Sequence, residues 1–288
     1  MATDILATIH NRMSSFSKGQ KRIANFIIAS YDKAAFMTAS KLGKMVNVSE
    51  STVVRFAVEL GFDGYPNMQK ALQEMVRTKL TAVQRIGVDN DRFGDQDVVS
   101  TVLHSDIESI RMTNEALDRS VLRAAVDAIG NAKNIYIVGV RSSAAIAAYM
   151  NFYFRNIFDN VHLIESTATS EMMEQMFHVG QGDVVIGISL PRYSSRTVKV
   201  LEFARDRGAE LVVITDSLEA PASKLADYTL MAKSEMVSVV DSLVAPMSLV
   251  NALIVAIGRR KEKELSLIFE NLEKIWTEYE VYEGFEES

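Results

Sequence analysis

Apolar residues recur at helical spacing through the first 80 positions. From residue 133 onward they gather into short unbroken runs separated by further helical patterns. Ile5, Ile9 and Met13 stand four apart and predict a first amphipathic helix. Ser17 is placed to cap a second, whose apolar face is Ile23, Phe26 and Ile27. A third short helix is expected from about Thr38 to Met45 and a fourth from about Glu50 to Leu60. Between them Val46-Asn47-Val48-Ser49 makes a tight connection that ends in a good N-cap serine. Two short helices joined by so brief a turn form a helix-turn-helix pattern. Gly43 falls where the first of the pair has to approach the second, and a side chain there would push them apart.

The fourth helix divides by face. Val53, Phe56, Ala57 and Leu60 fall at i, i+3, i+4 and i+7 and should pack inward. Ser51, Thr52 and Arg55 point the other way, near the helix N-terminus, which is the part of a helix-turn-helix that reaches base edges in the major groove. An arginine there can contact guanine through two bonds, while serine and threonine can take base or phosphate. Ser49, Ser51, Thr52 and Arg55 are therefore the candidate DNA-reading residues. Lys41, Lys44 and Lys70 are candidate phosphate contacts, which position a protein without reading sequence. Gly61-Phe62-Asp63-Gly64-Tyr65-Pro66 ends the helix sharply.

The stretch from Gly87 to Asp97 is polar, acidic and glycine-containing, and reads as a linker or surface loop. Helical spacing then covers Val98 to Ile110 and Leu117 to Ile129. Beyond it lie four apolar runs, Ile135–Val138, Val161–Ile164, Val184–Ile188 and Leu211–Ile214, with a weaker fifth at Tyr228–Met231. Strands alternating with helices predict an α/β fold with a parallel sheet flanked on both faces. Ligands in such sheets bind beyond the carboxyl ends of the strands. The first strand ends in Gly139-Val140-Arg141-Ser142-Ser143-Ala144, which lacks the later glycines of a dinucleotide loop and the Gly-Lys-Ser/Thr of a Walker loop. Paired serines at a helix start beside Arg141 suit a phosphate monoester instead. The third strand runs into a hydroxyl-rich turn containing Ser189, Tyr193, Ser194, Ser195 and Thr197, followed by a helix. Strand, turn and helix N-terminus together make an anion site. The fourth strand ends in Thr215-Asp216-Ser217. Pro246 to Gly258 predicts an apolar helix and Glu262 to Tyr282 a further one, leaving an acidic end.

Charge separates the two parts. Residues 1–80 carry 11 basic and 6 acidic side chains, the remainder 20 and 31. A basic module on an acidic body points to nucleic-acid binding at one end only. The absence of cysteine excludes disulfides, thiolate metal sites and a cysteine nucleophile. His104 has no companion ligands at metal spacing, so no metal and no cofactor are expected. The N-terminus does not read as a signal peptide, and the run from Leu243 to Gly258 is too short to span a bilayer. A cytoplasmic protein without membrane contact is expected.

Two stretches carry a family likeness. IYIVGVRSSAAIA followed by VVIGISLPRYSSRTVKVLEFARDRGAELVVITDS resembles the sugar isomerase (SIS) domain, and ASKLGKMVNVSESTVVRFAVELGFDGYP resembles the helix-turn-helix domain found fused to it. The combination is similar to the RpiR (MurR-like) family of bacterial transcriptional regulators. The resemblance implies a flavodoxin-like five-stranded sheet, association into a homodimer or homotetramer, double-stranded operator DNA as partner and a phosphorylated sugar as effector. By the same resemblance Ser142 and Ser143 match the first phosphate loop, and Ser189, Ser194 and Thr197 the hydroxyls of the second. The chain departs from the family pattern at Arg141, which replaces a glycine, and at Leu190-Pro191-Arg192-Tyr193, which lengthens the second loop. The expected division is a DNA-binding domain over 1–80, connecting helices over 81–120, a SIS domain over 121–262, and a C-terminal helix and tail over 263–288.

The alternative is a sugar-phosphate isomerase carrying an accessory DNA-binding domain. Isomerisation needs a base, usually a carboxylate, to move a proton between adjacent carbons. SIS isomerases often carry a glutamate two residues after the loop threonine, and here that position is Lys199. Glu165, Glu171, Asp216, His162 and His178 lie near strand ends, but no His–acid spacing singles any of them out. The expectation is a domain that binds without turnover, with no catalytic residues and a repressor's response to its ligand.

Overall fold

Side-chain caps set where three helices of the N-terminal region begin. The computed structural model describes residues 5–79, 85, 97–237 and 240–282, so the expected loop from Gly87 to Asp97 lies almost wholly outside the described residues. The chain divides into two compact units: Met1–Ser105 with Glu235–Ser242, and Asp106–Ser234 with Leu243–Ser288.

In the first unit the helices are α1 (Ile5–Arg12), α2 (Lys18–Ala29), α3 (Tyr31–Ala34), α4 (Ala39–Met45), α5 (Glu50–Glu59) and α6 (Tyr65–Lys79). Ser17 and Gln20 form a reciprocal capping box at the start of α2. Thr38 caps α4 and Ser49 caps α5. The core joins Ile5, Ile9, Ile23, Ile27, Leu42, Val53, Phe56 and Leu72, all buried. Phe16 meets Phe56 edge to face at 5.1 Å. Phe26 is only half-buried, because Ala24 takes the inward place beside Ile23 and Ile27. Helix α3, four residues long, is too short to show a periodicity in the sequence. The turn between α4 and α5 depends on Asn47 at φ 54° and on a bond from Val48 N–H to the Gly43 carbonyl at 2.8 Å. A Cβ on Gly43 would lie 2.8 Å from the Val48 carbonyl oxygen, so glycine is required for the close approach the spacing implied. A short hairpin, β6 (Met236–Val237) with β7 (Val240–Asp241), also belongs to this unit. Met236 is buried in its core, and Asp241 pairs with the buried Arg85 at 2.8 Å.

The boundary between units falls within α7 (Val98–Ala116). The second unit continues with α8 (Arg119–Asn131), β1 (Ile135–Gly139), α9 (Ser143–Ile157), β2 (Val161–Ile164), α10 (Thr169–Gln175), β3 (Val184–Ile188), α11 (Ser195–Asp206), β4 (Glu210–Thr215), β5 (Tyr228–Met231), α12 (Val244–Arg260) and α13 (Glu262–Glu278). The five strands form one parallel sheet in the order β2-β1-β3-β4-β5, a flavodoxin-like arrangement. Alternate residues feed opposite cores. Ile135, Ile137, Ile186, Val212 and Ile214 pack against α8, α9 and α12, while Val138, Val185, Leu211 and Val213 pack against α10 and α11. Because both faces of the central strands β1, β3 and β4 are covered, these read in sequence as unbroken apolar runs. Asp183, buried just before β3, accepts bonds from the Asn134 backbone and side chain and from the Gly180 N–H, and so ties the entries to β1 and β3 together. Helix α13 has no buried residue.

Candidate nucleic-acid interface and ligand site

On α5 the inward set is buried as the spacing requires, and Ser51 and Arg55 are exposed on the opposite side with Thr52 half-covered. Ser49 has two duties. Its hydroxyl accepts from the Thr52 N–H at 3.3 Å and lies 2.9 Å from the Ser51 hydroxyl and 2.8 Å from that of Thr52. This cluster holds the first turn of α5, so Ser49 shapes the reading surface as much as it forms part of it. The Arg55 side chain bends back to the Ser51 carbonyl at 3.4 Å but stays exposed. Lys41, Lys44 and Lys70 are exposed as well. Sequence reasoning passed over Val54 and Val58, which flank Arg55 and are exposed although apolar. Such a patch can meet thymine methyl groups in the major groove.

In the second unit the strand order reverses between β1 and β3, and a crevice opens at the carboxyl ends of strands at such a point. The two hydroxyl-rich loops are those that follow these two strands. After β1, Gly139 lets the chain turn directly into α9: a Cβ there would sit 2.6 Å from the Ser143 carbonyl oxygen. Arg141 adopts φ 58°, a left-handed conformation that glycine takes freely and arginine only at a cost of about 1 kcal/mol. Arg141 and Ser142 are exposed, and Ser143 is buried at the first turn of α9. Ser142 stands at the cap position without capping α9 by its side chain.

After β3, Ser189 continues the ladder by bonding its N–H to the Ile214 carbonyl at 3.0 Å. Leu190 and Pro191 are buried, Arg192 is exposed at φ 25°, and Tyr193 donates its hydroxyl to Asp216 at 2.8 Å. Ser194 stands at the cap of α11 and makes no side-chain cap, which leaves the first-turn N–H groups without that partner. Ser189 and Thr197 are buried, and their hydroxyls find no protein partner. Thr215, at the end of β4, is in the same condition and belonged to neither expected loop. Orphaned hydroxyls around a helix N-terminus make a neutral hydrogen-bonding cradle suited to an anion. Lys199, at the position where the family resemblance places an isomerase's glutamate, sits on α11.

His162, Glu165 and Gln175 line a separate hollow of about 700 Å³ beside β2, with Asn151 and Arg155 of α9. Glu171 instead accepts from the Ser166 hydroxyl, and among the described residues no cluster of three metal-ligating side chains occurs.

Similarity to known families divides the chain along the same line. A model of the rpiR-family helix-turn-helix domain matches residues 3–79, and a model of the SIS domain matches residues 128–256. The chain belongs to the RpiR family. An uncharacterised HTH-type transcriptional regulator of Clostridium perfringens is 25% identical over 227 residues, spanning 78% of this chain and 80% of its own. The sugar isomerase domain of an RpiR transcription factor from Sphaerobacter thermophilus matches with a TM-score of 0.59 at 26% identity, over 62% of this chain and 99% of that one. NanR of Vibrio vulnificus, solved with ManNAc-6P, matches with a TM-score of 0.60 at 20% identity, over 96% of this chain and 99% of its own. As an RpiR-family member this protein pairs a DNA-binding helix-turn-helix with a SIS domain, the architecture of a sugar-phosphate-responsive transcriptional regulator. Among the described residues no helix is long and apolar enough to cross a membrane.

Proposed function

We propose that this protein represses a carbohydrate-metabolism operon and releases its operator when a phosphorylated sugar occupies the crevice between the β1 and β3 loops. The observation that carries the reading is the pair of buried, unpartnered hydroxyls of Ser189 and Thr197 at the N-terminus of α11, in a chain whose α5 turns Ser51 and Arg55 to solvent. Ser142, Ser143 and Ser194 complete the phosphate cradle, with Arg141 at its rim. On the DNA side Arg55, Ser51 and Thr52 read bases, while Lys41 and Lys44 hold phosphates and Ser49 sets the helix end.

Coupling follows from linkage: the sugar shifts operator affinity by as much as it prefers one arrangement of the DNA-reading helices over the other. The relative solved with ManNAc-6P makes amino-sugar phosphates the first effectors to try. Residues 1–80 serve as the DNA-binding part and 121–262 as the sensor, joined by 81–120, with 263–288 as an appended helix and tail. The protein works in the cytoplasm as a homodimer or homotetramer. Exposed Phe152, Leu267 and Phe269 support association, and sedimentation as a monomer would refute it.

The sensor does not turn its ligand over, for Lys199 occupies the position where related isomerases place a carboxylate base. The experiment is a mobility-shift assay on the gene's own upstream DNA with a panel of sugar phosphates, run beside a turnover assay on the same panel. Release by one sugar phosphate without its conversion supports the reading. Substantial isomerisation overturns it in favour of an enzyme.

A further inference from the structure

The end of β4 supplies two polar residues that neither phosphate loop contains. Register aligns Ile188 with Ile214, so Ser189 and Thr215 lie side by side one residue further along β3 and β4. Alternation then fixes their side. Val185 and Val213 pack with Val200, Leu201 and Ala204 of α11, whereas Ile186, Ile188, Val212 and Ile214 pack on the opposite face. Ser189 and Thr215 therefore face α11, where Thr197 is buried in the first turn. None of the three hydroxyls has a protein partner. The next residue, Asp216, is 4% exposed and receives the Tyr193 hydroxyl at 2.8 Å. Tyr193 comes from the lengthened loop, so the segment that departs from the family pattern is tied to the end of β4.

A buried carboxylate beside a phosphate cradle has a definite chemical consequence. Carboxylate oxygens only accept hydrogen bonds, so they favour a donor and repel a second anion. We propose that Thr215 and Asp216 form the sugar-reading end of the site, selecting phosphate monoesters that present a hydroxyl or ammonium group there and rejecting ligands with a second anionic group. Tyr193 is the positioning residue, holding the Asp216 carboxylate toward the ligand. The assignment rests on the phosphate site proposed above. It narrows the effector to neutral or amino sugar monophosphates and excludes sugar bisphosphates and phosphorylated sugar acids. Discrimination of this kind comes from an unfavourable pairing built against the wrong ligand as much as from contacts to the right one.

The test uses the full chain and calorimetric titration with inorganic phosphate, neutral and amino hexose 6-phosphates, 6-phosphogluconate and fructose 1,6-bisphosphate. The wild-type protein should bind its best monophosphate at least tenfold more tightly than either compound with a second anionic group. Asp216→Asn should shrink that preference to about threefold or less, and Thr215→Val should weaken the monophosphate at least fivefold while inorganic phosphate changes less than twofold. Tyr193→Phe should reduce the preference part-way. Equal or tighter binding of 6-phosphogluconate by the wild type, or a preference unmoved by Asp216→Asn, overturns the proposal, as does failure of every sugar phosphate to outbind inorganic phosphate. Ser189→Ala separates the two readings. If it abolishes phosphate binding while the Thr215 and Asp216 variants behave as wild type, only the sugar-reading assignment fails. If it leaves phosphate binding intact, the phosphate site itself is misplaced and both fail.

Discussion

Thr197→Val should stabilise the ligand-free protein and cripple its response to ligand. Thr197 is wholly buried in the first turn of α11, and its hydroxyl has no protein partner. A buried hydroxyl in that condition costs about 1–3 kcal/mol. Valine keeps the branched shape and replaces the hydroxyl with a methyl group, so the α/β unit should gain about 1–2 kcal/mol without ligand. For a unit of this size each kcal/mol moves Tm by about 2–4 °C, so a rise of about 2–8 °C is expected. With ligand the sign reverses, because a hydrogen bond to a charged phosphate oxygen, worth about 1.5–3 kcal/mol, is lost. That corresponds to roughly 10- to 100-fold weaker binding. The assay is thermal unfolding with and without inorganic phosphate, followed by far-UV circular dichroism and by the single tryptophan, Trp276 on α13 of the second unit. A lower Tm for the ligand-free variant would show that the hydroxyl is satisfied inside the fold. An undiminished phosphate shift would remove Thr197 from the anion site.

Four further outcomes are expected. Arg55→Ala should cost at least tenfold in operator affinity, measured by mobility shift, with Tm unchanged because the side chain is exposed. Gly43→Ala should destabilise the helical unit by about 1–3 kcal/mol in urea, since the added methyl meets the Val48 carbonyl oxygen at 2.8 Å, a backbone atom that can move only by parting α4 from α5. Burial pushes the Tyr65 hydroxyl, which donates to the Met37 carbonyl, up to about 12. The unfolded chain therefore loses that proton first, and stability that is complete below pH 10 should fall by about 2–3 kcal/mol as pH rises to about 12, in wild type but not in Tyr65→Phe. Asp183→Ala should cost about 3 kcal/mol in chemical unfolding, because three donors from Asn134 and Gly180 lose a buried acceptor.

Local pattern alone located most of the elements. Helical spacing marked α1, α2 and α5, and the apolar runs marked β2, β3 and β5 to the residue; β3, covered on both faces, is buried at every position. The positions of the two hydroxyl-rich loops, after β1 and after β3 and each before a helix, were also legible from the sequence. Ser49 was legible as a cap, and its hydroxyl cluster with Ser51 and Thr52 follows from that duty.

Other features depended on contacts far apart in the chain. Helix α3 and the β6–β7 hairpin are too short to show a period, and only the burial of Met236 among residues some 160–230 positions earlier assigns the hairpin to the helical unit. The strand order that sets the β1 and β3 loops side by side is a property of the assembled sheet. Thr215 shows the same division within one residue. Its position at a strand end was plain from the sequence, but pairing of β4 with β3 decided that it faces α11, and packing decided that its hydroxyl is buried without a partner. Sequence determined which hydroxyls lie at the strand ends; the tertiary structure decided which of them are withheld from water, and a buried hydroxyl without a partner is the kind that gains most from a hydrogen-bonding ligand.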